Sequence, residues 1–445
     1  MDARAADIHI IDSPPEFYTA LLNGIDRAQS RIALASLYIG EKEVNLQQAL
    51  HQKLAAHKNV QLHVLVDAMR GSRKDAKTGA STVSLLTPLK LKFQNQTTIS
   101  LFEFPSANPF RKLVPQRFNE AFGLQHIKVY VFDDDVIISG ANLNKDYFQN
   151  RQDRYILIKN NPQVANYFSA LLKTIGQHSH TVTSNPEPTL QIQKCSSSLL
   201  EMSTAFKSFE QKTINALPPS ALTNAANPSP LIPNPETGCS TSDTVITPIL
   251  QSGPLNIHTE TNLLTNLLKN LSSSPDSTVT CSSAYFNLPE KLQPLVLDSR
   301  AKFSFLLAAP EANGFFGSRG VSKHLPFAYT YLTVRFWEKV LNIPDGKQRI
   351  QMRLWISQSS SSNISTYPHW TLVGSSNYGY RSYCRDLEAQ VVIQTRNKDL
   401  QKRLGDNLQQ LQAYSNRVDE SNFASLERRP NVLVRLATRI IKGLL

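Results

Sequence analysis

The stretch His126-Ile127-Lys128-Val129-Tyr130-Val131-Phe132-Asp133, followed by Gly140-Ala141-Asn142, decides how this chain is read. It has the form H-x-K-x4-D, then a small residue and an asparagine. Apolar residues alternate through it, the pattern of a half-buried strand. Residues i and i+2 of a strand share a face, so His126 and Lys128 project together. An imidazole beside an ammonium is a poor core pair, because an unpaired buried charge is costly. The pair suits a phosphate. The imidazole can attack phosphorus or move a proton, and the ammonium neutralises phosphoryl oxygens. The plain alternative is a surface strand with chance polar residues; the Asp, Gly and Asn at matching spacing weigh against it.

Around this stretch lie 445 residues, too many for one ordinary core, so two domains are expected. The formal charge of +12 points to an anionic partner: nucleic acid, anionic lipid or a phosphorylated substrate. Four cysteines (Cys195, Cys239, Cys281, Cys384) lie far apart without C-x2-C spacing, which argues against a zinc site and for free thiols. No apolar run reaches the roughly 18–20 residues that span a bilayer. Met1-Asp2-Ala3-Arg4 opens neither a signal-peptide core nor an Arg/Ser-rich transit peptide.

Ten of the 25 prolines fall between Pro186 and Pro254, among Ser, Thr and Asn, which predicts a linker or insertion over 181–257. The flanking halves, 1–180 and 258–427, repeat one another. The first has a strand ending Ser36-Leu37-Tyr38, a strand running to Gly71-Ser72-Arg73, then Gly140-Ala141-Asn142 with Asp153 eleven residues beyond the Asn. The second has a strand ending Ser283-Ala284-Tyr285, a strand running to Gly317-Ser318-Arg319, then Gly374-Ser375-Ser376-Asn377 with Glu388 eleven residues on. The shared order implies a duplicated α/β unit with a site where the halves meet.

On these residues the chain resembles the phospholipase D superfamily, whose members pair two H-x-K-x4-D half-sites. Longer segments are similar to one subfamily, the eukaryotic mitochondrial CDP-diacylglycerol–glycerol-3-phosphate 3-phosphatidyltransferases. They are Ile32 to Gly40, Arg70-Gly71-Ser72-Arg73, Pro310 to Ser318, Gly374 to Ser382, and Arg385-Asp386-Leu387-Glu388. The resemblance implies an α/β fold of two phospholipase D-like α/β/α sandwich domains sharing one active-site cleft. It implies that His126 attacks the phosphorus of CDP-diacylglycerol, expels CMP, and passes the phosphatidyl group to sn-glycerol 3-phosphate. Lys128 and Asn142 would hold phosphoryl oxygens, with Asn377 as the counterpart of Asn142, and Asp133 would orient neighbouring polar groups. A mitochondrial location, peripheral to the inner membrane, is implied too. The mechanism requires no cofactor and no resident metal, and leaves divalent-cation stimulation open. The partners would be the two substrates and an anionic membrane surface, not nucleic acid. Two rivals stand: a phosphodiesterase or nuclease of the same fold, and an impaired lipid-binding relative.

The second half departs from the family pattern. The family's second half-site reads H-A-K-G-L-W, whereas Leu354-Trp355 here follows Ile350-Gln351-Met352-Arg353, and no H-x-K occurs in this half. Counting sixteen residues back from Asn377, as His126 stands from Asn142, reaches Ser361. Three accounts are open: a mis-spliced or frame-shifted gene product around 343–353, a catalytically dead relative, or a site remodelled around His369. Arg70 and Arg73 are candidates for bidentate phosphate contacts or surface ion pairs. Asp153 and Glu388 are candidates to fix the tautomer of a site histidine or to form a simple salt bridge. Ser36, Leu37, Tyr38, Ile39 and Gly40 form either a nucleotide-binding segment or a strand-end turn without the phosphate-cradling glycine pattern. The C-terminal 428–445 has apolar Leu433, Leu436, Ala437, Ile440 and Leu444 on one face and Arg435, Arg439 and Lys442 on another, suited to an anionic membrane or to packing on the protein.

Overall fold

A computed structural model describes all residues except 106–122, 185–189, 217–241, 319, 356–366, 419–429, 431 and 445. Its first ten strands are β1 (Asp2–Ala3), β2 (Ile8–Ile11), β3 (Arg31–Ala35), β4 (Gln61–Asp67), β5 (Thr97–Phe102), β6 (Val129–Phe132), β7 (Asp135–Ile138), β8 (Tyr155–Ile158), β9 (His180–Ser184) and β10 (Leu190–Gln193). All but β1 form one nine-stranded sheet in the order β10-β9-β5-β4-β3-β6-β7-β8-β2. β3, β4 and β5 are parallel, linked by the helices Val44–Ala56 and Thr82–Lys92. Parallel neighbours need such crossovers, and both faces are then covered, which is why these strands read as nearly continuous apolar runs.

The second half contributes β11 (Thr244–Ser252), β12 (Ile257–His258), β13 (Thr278–Ser283), β14 (Lys302–Ala308), β15 (Ile350–Trp355), β16 (Trp370–Gly374), β17 (Glu388–Thr395) and β18 (Ser415–Arg417). They form two sheets, β13-β14-β15-β18 and β1-β11-β17-β16 with β12 beside β11. The pairings repeat those of the first half. Parallel β13-β14-β15 matches β3-β4-β5, and antiparallel β16-β17-β11 matches β7-β8-β2. β18 flanks β15 as β9 flanks β5.

Two expectations are corrected here. The 181–257 stretch is not wholly a joint. It holds β10, the helix Leu199–Ala216 and β11, and β11 lies centrally in a second-half sheet. Propensity-poor Pro248 is accommodated there because tertiary pairing with Val391 of β17 outweighs local preference. The proline-rich 217–241 lies outside the described residues. Ile350–Trp355, expected to occupy the place of the His126 strand, instead pairs parallel with β14 and so stands where β5 stands in the first half. Ile350 and Met352 are both fully buried in the second-half core.

One core is common to both halves. Ile127, Val129 and Val131 pack in the same cluster as Ile246 and Leu250 of β11, Val391 and Ile393 of β17, and Phe168 and Leu404 from the helices Pro162–Gln177 and Lys398–Ala413. Both helices begin at an asparagine whose side chain caps the third backbone N–H, Asn161 and Asn397. Shared apolar burial holds the halves face to face.

Candidate active site

The residues ahead of β6 form a seam between the halves. Leu387 donates its backbone N–H to Leu124 O at 2.8 Å and accepts from His126 N–H at 2.9 Å. Asp386 takes the Leu124 N–H at 2.9 Å, and Arg381 holds Asp386 at 2.7 Å. Gly123 makes the approach feasible. Its φ is +121°, and any Cβ there would strike the Arg385 carbonyl.

This seam sets His126 against the other half. Its Nδ1 lies 3.0 Å from both Glu388 oxygens. Glu388 is fully buried and is held by the hydroxyls of Ser375 and, at 2.8 Å, Ser382. A carboxylate that accepts from Nδ1 fixes the tautomer and leaves Nε2 with its lone pair outward. The imidazole thus comes from one half of the chain and its anchor from the other.

Lys128 shares this edge, completely buried, with Nζ donating to His126 O at 2.8 Å. Burial lowers its pKa to about 7, against the pull of Glu388, Asp386 and Asp153, and Arg70 lowers it further. Asp67, at the end of β4, accepts from Arg70 N–H at 2.9 Å and Gln125 N–H at 3.2 Å; burial raises it to about 7. Glu260 accepts from Ser376 Oγ at 2.8 Å, and burial, then the nearby Glu388, raise it to about 8. Titratable groups with shifted pKa values cluster at working sites. Asp67 and Glu260 carry no distinguishing sequence signal. Ser375 and Ser382 lie inside segments of the resemblance, but their task becomes visible only with Glu388 between them.

Of the other expected residues, Arg70 lies at this edge, its guanidinium 4.8 Å over the Tyr38 ring. Arg73 is in the loop after the short helix Ala68–Gly71. Asn142 is buried, its Oδ1 taking Leu37 N–H at 3.3 Å. Asn377 O accepts from Ser283 Oγ at 2.8 Å. In the 36–40 segment, Ser36 Oγ donates to Tyr38 O at 2.8 Å, Ile39 N–H donates to Thr82 Oγ1 at 3.0 Å, and Gly40 N–H donates to Leu143 O at 2.8 Å, so these groups close a turn. Asp153 lies in the counterpart position to Glu388; its Oδ1 takes Gly140 N–H at 3.1 Å and Arg154 N–H at 2.7 Å.

Two residues are not where the motif suggests. Asp133 turns the β6–β7 hairpin with φ +50° and accepts backbone N–H groups of Gln29, Ser30 and Arg31 at 2.7–2.9 Å. It stands seven residues along the strand from His126, roughly 20 Å away; it braces the start of β3, far from the imidazole. His369 precedes β16 at the end where Trp370 pairs with Gln394, and its Nδ1 meets Gln401 Nε2 at 3.0 Å. Glu388 stands at the other end of β17, again roughly 20 Å away by strand rise, so a site remodelled around His369 is not what the fold builds.

The C-terminal helix Val432–Ile441 touches the rest of the protein at a few points. Thr438 is buried, Arg439 Nε donates to Tyr331 OH at 2.7 Å, and Lys442 pairs with Glu290 at 2.5 Å. Leu433, Leu436 and Ile440 point outward, 76, 50 and 84% exposed. The inward side carries Val434, Thr438 and Ile441, while the basic residues and Leu433, Leu436 and Ile440 are exposed.

Residues 21–175 match the family model described as "Cardiolipin synthase, PLD-like domain". Among curated relatives, the mitochondrial CDP-diacylglycerol–glycerol-3-phosphate 3-phosphatidyltransferase of Gallus gallus is 35% identical over 99% of this chain and 84% of its own. The Homo sapiens enzyme of that name is 32% identical over 99% and 83%, and the CDP-diacylglycerol–glycerol-3-phosphate 3-phosphatidyltransferase of Saccharomyces cerevisiae 33% over 98% and 88%. Phosphatidylserine synthase of Haemophilus influenzae superposes on all of this chain and 96% of its own with a TM-score of 0.72 at 18% identity, which bears on the fold alone. At this level of identity over nearly its whole length, the chain belongs to the CDP-diacylglycerol–glycerol-3-phosphate 3-phosphatidyltransferase family, built on the phospholipase D-like fold.

Proposed function

We propose that this chain works in the transfer of a phosphatidyl group from CDP-diacylglycerol to sn-glycerol 3-phosphate, giving phosphatidylglycerophosphate and CMP. The observation that carries the reading is the His126–Glu388 pair across the seam, in a chain of this family. Nε2 of His126 attacks the phosphatidyl phosphorus; a P–N bond forms and the P–O bond to CMP breaks. The glycerol hydroxyl then attacks the same phosphorus, the P–N bond breaks, and the hydroxyl proton passes to a base. Splitting the displacement in two lowers each barrier. Lys128 faces the charge that develops on the phosphoryl oxygens. The steps need no metal ion or cofactor.

Among the described residues no helix is long and apolar enough to cross a membrane. The outward Leu433, Leu436 and Ile440 instead form the contact with the lipid surface, peripheral to the mitochondrial inner membrane, with anionic headgroups attracted by the net charge.

The described residues bring no second imidazole to His126. A positioned acid/base is worth about 10²–10⁴-fold, so turnover is expected at trace level only. The test is incorporation of radiolabelled glycerol 3-phosphate into lipid, with CMP release followed in parallel. His126→Ala should remove all of it. Unchanged turnover in that variant would place the chemistry elsewhere.

A further inference from the structure

We infer that Arg151, with Arg70 beside it, forms a site for a phosphate monoester on the side of the cleft away from His126, and that this site selects phosphorylated partners for the reaction. The starting point is the repeat. Counting four, nine and eleven residues from Asn142 gives Asp146, Arg151 and Asp153; the same steps from Asn377 give Arg381, Asp386 and Glu388. The backbones agree: Arg151 N–H donates to Asp146 O at 2.9 Å, and Asp386 N–H donates to Arg381 O at 3.1 Å. Each half thus carries one acid and one arginine at these two places, with the signs exchanged.

The two pairs are used differently. In the second half Arg381 holds Asp386 at 2.7 Å, and Asp386 reaches across the seam to Leu124 N–H. This acid stands two residues before Glu388, on the side that anchors His126. In the first half Arg151 and Asp146 are 3.7 Å apart, outside hydrogen-bond range. Arg151 also reaches across the seam: a Cβ on Gly314 would lie 3.0 Å from both of its terminal nitrogens. A residue without a side chain is what lets the 310–318 loop rest against the guanidinium. That guanidinium lies 4.8 Å over the Tyr147 ring and donates to Tyr147 OH at 3.1 Å, yet the side chain stays 33% exposed. The fork is held in place and remains open to a ligand. By the repeat, Arg151 is to the opposite side of the seam what Asp386 is to the His126 side.

Tyr38 and Tyr285 end the matching strand motifs of the two halves. Burial raises the pKa of both hydroxyls and Arg151 opposes the rise in both, so the cation stands near each. Arg70, over the Tyr38 ring, also acts on Lys128, and two guanidinium groups therefore border one opening beside the His126 edge. The chemistry asks for an anion there. In two in-line displacements at one phosphorus, the group that leaves and the group that enters both stand opposite His126. Under the transferase reading, on which this assignment rests, each carries a phosphate: CMP departs with one and sn-glycerol 3-phosphate brings one. A planar arginine fork meets phosphate oxygens in bidentate fashion, whereas water and glycerol offer it no charge.

Binding to the full chain is measured by titration calorimetry with inorganic phosphate, CMP, sn-glycerol 3-phosphate and glycerol. Arg151→Gln should weaken binding of inorganic phosphate about 10–100-fold, the range of a charge-assisted bidentate contact. Arg151→Lys keeps the charge without the fork and should lose about 5–10-fold. Asp146→Asn removes a repelling carboxylate and should tighten binding about 3-fold, which a merely structural arginine would not produce. Arg335→Gln, on the exposed side of the helix Leu325–Leu341, controls for net charge and should leave every affinity in place. The organic probes name the occupant. A loss with CMP assigns the site to the leaving nucleotide and a loss with sn-glycerol 3-phosphate to the acceptor; either upholds the inference. No measurable phosphate binding in the parent chain, or affinity within twofold of the parent in Arg151→Gln, would overturn it. Arg151-dependent binding of inorganic phosphate with neither CMP nor sn-glycerol 3-phosphate bound would uphold the site and count against the transferase reading instead.

Discussion

Lys128→Met should make this protein more stable while removing its chemistry, by an amount that depends on pH in a defined way. Lys128 is fully buried, and its folded pKa is lowered from 10.5 to about 7. The sign follows from linkage. Below pH 7 the amine is charged in both states, so the whole cost of burying the charge is present. Between pH 7 and 10.5 the unfolded chain still binds the proton and the folded one does not, so the cost fades as pH rises. At 1.36 kcal/mol per pH unit the full cost is about 5 kcal/mol near pH 6 and about 1 kcal/mol at pH 9.5. Methionine fills similar volume and forfeits one hydrogen bond to His126 O, worth about 1 kcal/mol. The variant should thus gain about 4 kcal/mol at pH 6 and almost nothing at pH 9.5. The assay is urea unfolding of both proteins at the two pH values, read by tryptophan fluorescence. A variant less stable at pH 6, or a difference independent of pH, would refute the burial argument. Trace CMP release should fall by about 10²–10³-fold, as on loss of one oxyanion donor.

Glu388→Gln should lower CMP release by about 10²-fold or more, because the amide cannot hold the imidazolium as the carboxylate does; rates within twofold of the parent would show that the anchor is dispensable. Asp133→Ala frees three backbone N–H groups at the start of β3 and should cost about 2–3 kcal/mol of stability, with CDP-diacylglycerol affinity unchanged in equilibrium binding. Leu433→Ser with Leu436→Ser and Ile440→Ser should weaken binding to phosphatidylglycerol-containing vesicles on the order of 10²-fold in a flotation assay, at roughly 1 kcal/mol per side chain, while leaving the unfolding midpoint nearly in place. Equal flotation of the triple variant would mean that another surface meets the lipid.

Much of this protein was legible in its residues. The alternation through His126–Asp133 put the imidazole and ammonium on one face, because a strand has a side-chain period of two. The ordered recurrence of Ser-x-Tyr, Gly-Ser-Arg and Asn with a carboxylate eleven residues on announced a duplicated unit, and that carboxylate proved to be the partner of His126. Long-range facts were not legible. Asp133 belongs to the motif by spacing, yet seven residues of extended chain carry it to the far end of the sheet, where it caps β3. Ile350–Trp355 looks in sequence like a damaged half-site because it ends Leu-Trp. Which neighbour a strand pairs with is decided by backbone hydrogen bonding and core burial, and these placed it beside β14. The burial of Lys128, Asp67 and Glu260, and with it their shifted pKa values, exists only once two halves some 260 residues apart in sequence close on one another. Local pattern named the candidate groups; tertiary pairing decided which of them meet.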